Sequence, residues 1–391
     1  MKKKEVNSAR MPIYRDAGFE LFDAATTGSA FRSETEHERD PDYFIYSRYR
    51  NPTVVSAEEE IIKLEKCNWA LLTQSGMSAI DTALSIFQKG KDTGLWIFFS
   101  EIYGGTISFI ESVLKVRRGI DIQYFTAEDG TYDLKGFEKV LAQMNPSVVY
   151  IETISNPMLI VADVTELIRI AKSYRSKVIV DNTFATPLLY SPLDEGADIV
   201  IHSATKYFSG HGNLTAGVIC GNDKEFMKSA IEYRKFVGHT LSPDDAYRLQ
   251  TQIQTFKLRF LRQCNNAGKL AGYLDKNTLV RKVWYPGLTS HTTSNIAEKL
   301  FRGKGYGGMI TFDFAGSDNE EKRNRRDQFI SFVSEKIKLI PTLGDPHTIL
   351  MPIEAVWGVK YPEPGMIRLS VGFEEYDELE ATVIQALDRI S

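Results

Sequence analysis

Two side chains that could carry out chemistry stand at the ends of apolar runs. Lys206 lies in "HSATKYFSGH", directly after the apolar stretch "GADIVI", and Asp181 ends the apolar stretch "KVIVD". A lysine in a desolvated site has a lowered pKa and forms Schiff bases. A buried carboxylate requires a cation or hydrogen-bond donors as partners. The ordinary alternatives are an exposed lysine at a strand end and an aspartate that caps a turn, and neither residue alone decides between them.

Two further candidates stand where predicted strands lead into predicted helices. Ser75, Gly76 and Met77 of "TQSGMSA" form such a connection, in which backbone amides can bind a phosphate group. The glycine permits a close approach to the backbone, although Ser-Gly connections are common and this signal is weak by itself. Tyr103 of "EIYGGT" follows another predicted strand. Its ring either packs in the core or stacks on a ligand.

One cofactor, pyridoxal phosphate, accounts for all of these residues together. It requires a lysine for its aldehyde and a carboxylate that keeps its pyridine nitrogen protonated. Its phosphate requires hydroxyl groups and amides at a helix start, and an aromatic side chain can stack on its ring. Lys206 and Asp181 supply the first two groups, and Ser203 and Thr205 supply hydroxyls just before the lysine. We therefore predict a pyridoxal phosphate site.

Alternating strands and helices would bring these residues together. Over residues 51–240, helical patterns alternate with apolar strands such as "WALLTQ", "GLWIFFS", "SVVYIET", "KVIVDNT" and "ADIVIHS". Nearly continuous apolar strands are typical of a largely parallel sheet with helices on both faces. Ligands bind beyond the carboxyl ends of such strands, which is where Lys206 and Asp181 stand. We predict that residues 51–240 form a large cofactor-binding domain of the α/β class.

The segments on either side of this domain have different patterns. Residues 1–50 are polar with few periodic apolar positions, which predicts an extended arm. Ser56 and Glu59 have the spacing of a capping box, which predicts a helix start at Ser56. One long helical stretch begins at "SPDDAYRLQ" and is followed by shorter strands and helices. We expect residues 241–391 to form a smaller, C-terminal α/β domain.

The composition argues against several classes of protein. Of the 391 residues, 43% are hydrophobic and 25% are charged, as in globular proteins. The net charge of −4 lacks the basic excess of nucleic-acid-binding proteins, and no apolar stretch has the length of a membrane span. The basic start "MKKKEVNSAR" is not followed by the apolar region of a signal peptide. Three separated cysteines, Cys67, Cys220 and Cys264, match no metal or disulfide pattern, so we expect a reducing, cytoplasmic location and no bound metal.

Several motifs resemble those of a known family. In family order from about residue 12 to the C-terminus, they are "YSRYRNPT", "QSGMSA", "YGGT", "ETISNP", "VDNTFATP", "HSATKYFSGH", "YPGL", "GYGGMITFDF" and "IRLSVGFE". They resemble the trans-sulfuration (Cys/Met metabolism) group of fold-type I pyridoxal-phosphate enzymes, and "VDNTFATP" with "HSATKYFSGH" is the most specific match. The resemblance implies the fold-type I transferase architecture, with a large, mostly parallel sheet domain and a smaller C-terminal α/β domain.

The resemblance implies roles for residues around the reacting atoms. Lys206 would bind the cofactor covalently and then transfer protons, Asp181 would pair with the pyridine nitrogen, and Tyr103 would stack on the ring. Asn156 would lie near the cofactor O3′ and the substrate. Arg368 would bind the substrate α-carboxylate, a task suited to a bidentate guanidinium.

The resemblance also implies how the cofactor phosphate is bound and how the subunits assemble. The phosphate would be held by the amides of Gly76 and Met77, the hydroxyls of Ser203 and Thr205, and, from a neighbouring subunit, Tyr46 and Arg48. Because one subunit completes the site of another, a homodimer would be the smallest active unit. A homotetramer is the expected assembly.

The chain departs from the family pattern in loops expected to contact the substrate. Thr342 of "TLGDPHT" stands where serine is usual, and the segment "LMPIEAVWG", which contains Trp357, is also unusual. The other departures are His347 where many members have glutamate, Asn213 for aspartate, Thr251-Gln252 for Arg-Gly, and Gly105 where methionine γ-lyases have cysteine. We expect Thr342 to contact the substrate, and the departures leave the substrate's identity open.

The predicted reaction forms or cleaves a C–S bond at Cγ of a homoserine-type amino acid, as in cystathionine γ-synthases. Cystathionine β-lyase, cystathionine γ-lyase and O-acylhomoserine sulfhydrylase activities are alternatives within the same chemistry. A regulatory protein that binds pyridoxal phosphate is disfavoured because the lysine, aspartate, tyrosine and arginine positions are all filled. An aminotransferase is disfavoured because the phosphate-binding arginine is expected in "YSRYRNPT" and not after the lysine.

Overall fold

The computed structural model describes residues 8–37, 41–88, 90, 94–358 and 360–390, which include two sheets covered by helices. The strands of the larger sheet are β1 (Trp69–Thr73), β2 (Trp96–Phe99), β3 (Ile122–Phe125), β4 (Val148–Glu152), β5 (Lys177–Asp181), β6 (Ile199–Ser203) and β7 (Gly217–Gly221). The strands of the smaller sheet are β8 (Val280–Trp284), β9 (Met309–Phe314), β10 (Lys338–Leu339), β11 (Ile349–Pro352) and β12 (Met366–Ser370).

The helices flank both sheets, and α4 continues as a π-helix over Ile110–Lys115. They are α1 (Ala24–Thr35), α2 (Pro52–Glu65), α3 (Gly76–Ser85), α4 (Gly104–Phe109), α5 (Leu134–Met144), α6 (Val164–Ser173), α7 (Thr186–Leu189), α8 (Lys224–Val237), α9 (Pro243–Ile253), α10 (Phe256–Leu274), α11 (Ser294–Phe301), α12 (Asn319–Val333), α13 (Glu354–Trp357) and α14 (Tyr376–Asp388).

The larger sheet has the order β1-β7-β6-β5-β4-β2-β3, and the smaller has the order β10-β11-β12-β9-β8. In the larger sheet only β7 runs antiparallel to its neighbours, β1 and β6. Strands β2 and β4 are buried along their whole length, which explains why their sequences are continuously apolar. The predicted α/β class, with a large, mostly parallel sheet and a smaller second sheet, is confirmed.

The two sheets have separate cores that both use α10. Side chains of α9 and of α10 as far as Cys264 pack in the core of the larger sheet. Ala267, Leu270 and Leu274, further along α10, pack in the core of the smaller sheet. A single helix therefore links the two sheets. The domain boundary at residue 241 remains a prediction.

The N-terminal arm is not extended throughout, which corrects the prediction from the sequence. Helix α1 begins after Asp23, whose carboxylate accepts a hydrogen bond from the Thr26 amide at 2.7 Å. Only Ala30 of this helix is buried, so it lacks the periodic apolar face by which a helix is recognised in a sequence. Lys235 Nζ lies 2.9 Å from Glu34 and attaches α1 to α8.

The start of α2 also differs from the prediction. The helix begins at Pro52 and not at Ser56, because the Asn51 side chain caps it by accepting a hydrogen bond from the Thr53 amide at 2.9 Å. Proline fits the first turn, where its missing N–H has no helical partner. The Ser56 carbonyl accepts a hydrogen bond from Gln250 on α9 at 3.1 Å.

The long helix predicted from "SPDDAYRLQ" onward is two helices, α9 and α10, which are separated at Gln254 and Thr255. At this break the Arg259 guanidinium donates to the Gln252 carbonyl at 2.9 Å. That carbonyl lies in the last turn of α9, where helical amide partners are missing. The arginine therefore stabilises the end of one helix from the start of the next.

No helix in the part of the chain that the structure describes is long and apolar enough to cross a membrane. The three cysteines are buried and free. No group of histidine, cysteine and acidic side chains that could hold a metal ion occurs among the described residues.

Candidate active site

A cavity of about 500 Å³ opens beyond the carboxyl ends of β4, β5 and β6. Residues from both sheets and their loops line it. All of the predicted site residues except Tyr46 and Arg48 are among them: Lys206, Asp181, Tyr103, Gly76, Met77, Ser203, Thr205, Asn156, Thr342 and Arg368. The fold thus brings together residues that are up to about three quarters of the chain apart.

Lys206 lies on the turn that follows β6, and its amine donates a hydrogen bond to the Thr342 hydroxyl at 2.8 Å. Burial and the nearby charge of Arg368 lower the pKa of Lys206 to about 8. At neutral pH this amine is deprotonated far more often than that of a surface lysine. The loop after Thr342 packs on the lysine backbone, since a Cβ at Gly344 would lie 2.9 Å from the Lys206 carbonyl carbon.

Asp181 ends β5 and is held by a hydrogen-bond network that joins it to β6. Its carboxylate accepts hydrogen bonds from the Thr183 amide at 3.0 Å and hydroxyl at 2.5 Å, and from the Tyr150 hydroxyl at 3.3 Å. The Thr183 hydroxyl also accepts a bond from the Ser203 amide at 2.9 Å. Burial raises the pKa of Asp181, and no lysine or arginine of the described residues forms an ion pair with it. A cationic ring nitrogen in the cavity would supply this partner.

Glu152, the last residue of β4, is a cavity residue that the sequence reasoning missed. It is 8% exposed and lies beside Asp181 in the sheet register. Its carboxylate accepts a hydrogen bond from the Tyr103 amide at 2.6 Å, and burial beside Asp181 raises its pKa well above the ordinary value. An acidic residue at the end of the apolar run "SVVYIE" was the available signal. Thr183, two residues after Asp181, is a second cavity residue that the sequence reasoning missed.

The start of α3 lies against the end of β6 and forms a cradle for an anion. Ser75 caps the helix by accepting a hydrogen bond from the Ser78 amide at 3.1 Å. The amides of Gly76 and Met77 stand in the first turn, where no helical carbonyl faces them. A Cβ at Gly76 would lie 3.0 Å from the Ser203 Cβ, so glycine permits this close approach. The amides and the Ser203 hydroxyl together suit a phosphate group.

Strand β7 and Ala216, the residue before it, hold the cradle and the lysine turn in place. The Thr205 hydroxyl accepts a hydrogen bond from the Ala216 amide at 2.9 Å and donates one to the Ala216 carbonyl at 3.2 Å. At Gly217, a Cβ would lie only 2.1 Å from the Ser75 carbonyl oxygen. Glycine is therefore required where β7 passes the cradle.

Arg368 on β12 is a buried cation whose protein partners are neutral. It is 4% exposed and donates to Asn156 Oδ1 at 2.9 Å and to the Thr342 carbonyl at 3.1 Å. Its Nε has no hydrogen-bond partner, and burial lowers its pKa to about 10. A buried guanidinium without a carboxylate is costly. It is therefore suited to bind the carboxylate of a ligand.

Apolar side chains form the cavity wall near this arginine. The Arg368 guanidinium carbon lies 5.7 Å from the centroid of the Trp357 ring. Other apolar members of the lining are Pro341, Met351 and Val356. The unusual segment that contains Trp357 thus reaches the cavity.

Of the other departures from the family pattern, some line the cavity and some lie outside it. His347 is exposed and does not line the cavity. The Gln252 amide donates to Asn213 Oδ1 at 2.9 Å, so two departures pair with each other outside the cavity. Gly105 lines the cavity beneath Tyr103, and a Cβ there would lie 2.4 Å from the tyrosine ring. The glycine therefore allows the ring to occupy this position.

Tyr46 and Arg48 lie on the arm, outside this cavity. Arg48 donates to the Lys235 carbonyl at 2.7 Å, and its guanidinium carbon lies 5.4 Å from the centroid of the Tyr46 ring. Arg50 of the same segment pairs with the buried Glu58 at 3.1 Å. The arm is thus fixed on α8 and α2, and Tyr46 remains 40% exposed at the surface.

The cavity residues fit pyridoxal phosphate, the cofactor that the sequence predicts. The Lys206 amine with its lowered pKa suits the aldehyde, and the buried Asp181 carboxylate, which has no lysine or arginine partner among the described residues, suits the ring nitrogen. The cradle at Gly76, in which a side chain would meet Ser203, suits the phosphate. Three separate features thus match three separate groups of one molecule.

Comparison with known proteins agrees with this chemistry. The model of the Cys/Met metabolism PLP-dependent enzyme family matches residues 1–388. L-methionine γ-lyase of Fusobacterium nucleatum subsp. polymorphum is 34% identical over 394 residues, which cover 97% of this chain and 93% of that protein. Cystathionine β-lyase of Lactococcus lactis subsp. cremoris MG1363 is 34% identical over 354 residues, which cover 89% and 90%. The structure of cystathionine γ-synthase from Xanthomonas oryzae pv. oryzae is similar, with a TM-score of 0.84, 26% identity and coverage of 97% and 92%.

Proposed function

Because the chain belongs to the Cys/Met metabolism family of pyridoxal-phosphate-dependent enzymes, we propose that it forms or cleaves the C–S bond at Cγ of a homoserine-type amino acid. The observation that carries the proposal is the buried Arg368 beside Lys206. Thr342 contacts both, through its carbonyl and its hydroxyl. An α-amino acid with its carboxylate on the arginine would present its α-carbon near the lysine.

Within this proposal the residues of the chain hold the cofactor and move protons. Pyridoxal phosphate, when bound, supplies an electron sink for the charge that develops on the substrate. Asp181 would hold the ring nitrogen, and Tyr103 would lie against the ring. Lys206 would hold the aldehyde, and its amine, with a pKa of about 8, is suited to take and return protons at the substrate carbons. General acid–base assistance of this kind contributes roughly 10²–10⁴-fold to the rate.

Two observations favour reaction at Cγ of a thioether. The cavity wall beside Arg368 is apolar, with Trp357, Met351 and Val356, and such a wall suits an uncharged sulfur substituent. The methionine γ-lyase relative matches over 97% of this chain. Cystathionine β-lyase activity is the second candidate, because a relative of that name is equally identical, at 34%.

Product analysis distinguishes the candidates. The purified protein with pyridoxal phosphate is mixed with methionine, cystathionine or O-acetylhomoserine, with and without cysteine or sulfide. We expect 2-oxobutyrate from elimination at Cγ, or a replacement product, which is a new thioether with cysteine and homocysteine with sulfide. Pyruvate from cystathionine would instead establish β-elimination. The absence of any product from all of these amino acids would overturn the proposal.

Substitution of the lysine tests its role. Lys206→Ala should abolish turnover and the visible absorbance of lysine-bound cofactor, because no other described lysine lines the cavity. Lys63→Ala is the matched control, since Lys63 is exposed and pairs with Glu60 on its own helix. A Lys206→Ala protein that keeps both properties would show that another residue holds the cofactor.

We further propose a homodimer as the smallest active unit and a homotetramer as the assembly, in the cytoplasm. The placement of Tyr46 and Arg48 outside their own cavity supports shared sites. Large apolar side chains are exposed on the arm and on α8, with Phe22 84% and Phe236 70% exposed. Such side chains on a fixed surface are typical of subunit contacts.

A further inference from the structure

We call the larger sheet with its core the larger unit and the smaller sheet with its core the smaller unit. The segment between β11 and β12 begins with a firm attachment to the smaller unit. Its helix α13 carries Glu354, whose carboxylate lies 2.6 Å from Arg323 and 2.9 Å from Arg326, both on α12. This segment contains "EAVWG", one of the stretches in which the chain departs from the family pattern. Its structure is therefore informative about this chain in particular.

The other end of the segment is attached to the larger unit by what we call the Glu101 clamp, formed by Glu101, Lys360 and Tyr361. Lys360 Nζ lies 2.8 Å from Glu101 Oε1 and also donates to the Ser100 carbonyl at 2.8 Å. The Tyr361 hydroxyl donates to Glu101 Oε2 at 2.5 Å. Glu101 stands two residues before Tyr103 in the loop after β2.

The Glu101 clamp differs from an ordinary surface ion pair. The Glu101 side chain is 12% exposed and Tyr361 is 9% exposed. Exposed pairs contribute little because water and salt screen them. The Lys360 side chain is 39% exposed, but both carboxylate oxygens of the shielded Glu101 accept charge-assisted bonds, which are roughly twice as strong as neutral ones. The clamp can therefore determine where the segment lies.

Trp357 lies between the two attachments and faces the active-site cavity. Its ring centroid is 5.7 Å from the Arg368 guanidinium carbon. A Cβ at Gly104, the residue after Tyr103, would lie 3.1 Å from the indole Nε1, so the indole edge rests on that loop. Trp357 thus contacts the arginine of the smaller unit and the tyrosine loop of the larger one.

We propose that Glu101 is a positioning residue for the substrate, because the Glu101 clamp holds Trp357 beside Arg368 and so completes the subsite for the amino-acid carboxylate. Glu101 does not line the active-site cavity; it lines a separate cavity of about 280 Å³ behind the clamp. The indole shields one side of the guanidinium from water, and an ion pair with a carboxylate is stronger where water is excluded. The proposal rests on the proposed function for the identity of the ligand.

The test measures amino-acid binding apart from turnover. Norleucine has the shape of methionine but no sulfur leaving group, and its binding to the holoenzyme is followed by the absorbance of the bound cofactor. For Glu101→Gln we expect the norleucine Kd and the methionine KM to rise about tenfold, which corresponds to the loss of one charge-assisted interaction. We expect kcat to change less than about twofold, because Glu101 touches no reacting atom.

Further variants separate positioning from general damage to the fold. Lys360→Met and Tyr361→Phe should raise Kd and KM in the same direction. Glu101→Gln with Lys360→Met should raise them by less than the product of the two single effects, because the two residues share the Lys360–Glu101 contact. Glu60→Gln is the matched control, since it removes a partly exposed carboxylate paired with Lys63 on the surface of α2. The two partner variants also serve if Glu101→Gln does not fold.

The outcomes distinguish this proposal from the proposed function. Unchanged Kd and KM in all three clamp variants would overturn the positioning role alone. A fall in kcat or loss of cofactor with unchanged Kd would also overturn it, since the clamp would then act on the chemistry or the cofactor. A wild-type protein that binds norleucine but converts no sulfur amino acid would overturn only the proposed function. A wild-type holoenzyme that binds no norleucine would overturn both.

Discussion

At the scale of single residues, the cavity contains charges whose partners are not in the chain. Arg368 donates only to neutral oxygens, and Asp181 receives hydrogen bonds but forms no ion pair with a lysine or arginine of the described residues. Lys206 and Arg368 stand close together with the same sign, which is one cause of the lowered pKa of the lysine. Because unpaired buried charges are costly, they indicate where charged groups of the cofactor and substrate bind.

The role of Arg368 is tested by Arg368→Met, which keeps an apolar chain and removes the guanidinium. We expect kcat/KM for amino-acid substrates to fall at least roughly 100-fold, because removal of a buried ionic partner costs about 3–5 kcal/mol and 1.4 kcal/mol corresponds to tenfold. The absorbance of the bound cofactor should persist. Steady-state kinetics and absorption spectra measure both. The control is Arg169→Met, which removes an exposed arginine paired with Glu166. An Arg368→Met enzyme as active as this control would rule out Arg368 as the residue that binds the substrate carboxylate.

The lowered pKa of Lys206 predicts a pH dependence of cofactor binding. The free amine reacts with an aldehyde, so the rate at which cofactor-free protein binds pyridoxal phosphate should rise with pH and level off above about 8 rather than near 10.5. In Arg368→Met the midpoint should move upward, because a neighbouring positive charge is removed. Stopped-flow absorbance across this pH range measures the rate of cofactor binding and its midpoint. A midpoint that does not move would show that Arg368 has no electrostatic effect on Lys206.

The lowered pKa of Lys206 also makes the stability of the cofactor-free protein depend on pH. Between pH 8 and 10.5 the unfolded chain keeps the proton of this lysine and the folded chain has lost it. The unfolded state therefore binds more protons, and the contribution of Lys206 to the free energy of unfolding rises with pH over this interval. Below pH 8 both states hold the proton, and this contribution becomes constant. Denaturation of wild type and Lys206→Met at several pH values would measure this contribution of Lys206 to the free energy of unfolding.

At the scale of elements, β7 determines the shape of the cofactor site. It is the antiparallel strand between β1 and β6. Its first residue, Gly217, contacts the helix start at Ser75, and the residue before it, Ala216, contacts the turn that carries Lys206. Thr205 and Ala216 are joined by three hydrogen bonds. The parallel strands alone would leave the cradle and the lysine turn without this common support.

This role of β7 predicts a large effect of Gly217→Ala. The new Cβ would lie 2.1 Å from the Ser75 carbonyl oxygen, and relief of such overpacking typically costs about 1–3 kcal/mol. We also expect weaker binding of pyridoxal phosphate, because the displaced atoms adjoin the cradle. Denaturant titration and cofactor titration measure the two effects.

Gly272→Ala is the matched control for this experiment. Gly272 lies within α10, and nothing would lie within 4 Å of its Cβ. The change should be neutral or stabilising by up to about 1 kcal/mol, because alanine favours helices. Equal effects of the two substitutions would contradict the proposed role of β7.

At the scale of the whole molecule, the site is assembled from two units, and the arm carries residues that the cavity of its own chain does not use. Asn156 and Lys206 come from the larger unit, whereas Thr342, Trp357 and Arg368 come from the smaller one. The Glu101 clamp and α10 join the units. Motion of one unit relative to the other would change the distance from Arg368 to Lys206 and would therefore affect substrate binding directly.

Shared sites predict complementation between inactive variants. Arg48→Ala and Lys206→Ala should each have little activity, the first through weak cofactor binding and the second through loss of the amine. After dissociation and random reassociation, half of the dimers are hybrids, and each hybrid has one site with both residues intact. About a quarter of the wild-type activity should therefore return. Exchange of labelled subunits without recovery of activity would show that the arm does not serve a neighbouring site.

The sequence by itself determined the cofactor, the family and the class of fold. Lys206, Ser203 and Thr205 are neighbours in the chain, and Asp181 and Lys206 each follow an apolar strand, so the pattern is visible locally. Helices such as α5 and α6 were also predictable because their apolar positions are periodic. Helix α1 was not, because only Ala30 is buried.

The tertiary structure alone decided how the substrate part of the site is built. Glu152 lies beside Asp181 through pairing of β4 and β5, and Glu101 meets Lys360 and Tyr361 across more than 250 residues of chain. No local pattern encodes such contacts, because they depend on how two separately packed units meet. The placement of Trp357 beside Arg368, and of His347 outside the cavity, follows from the same packing.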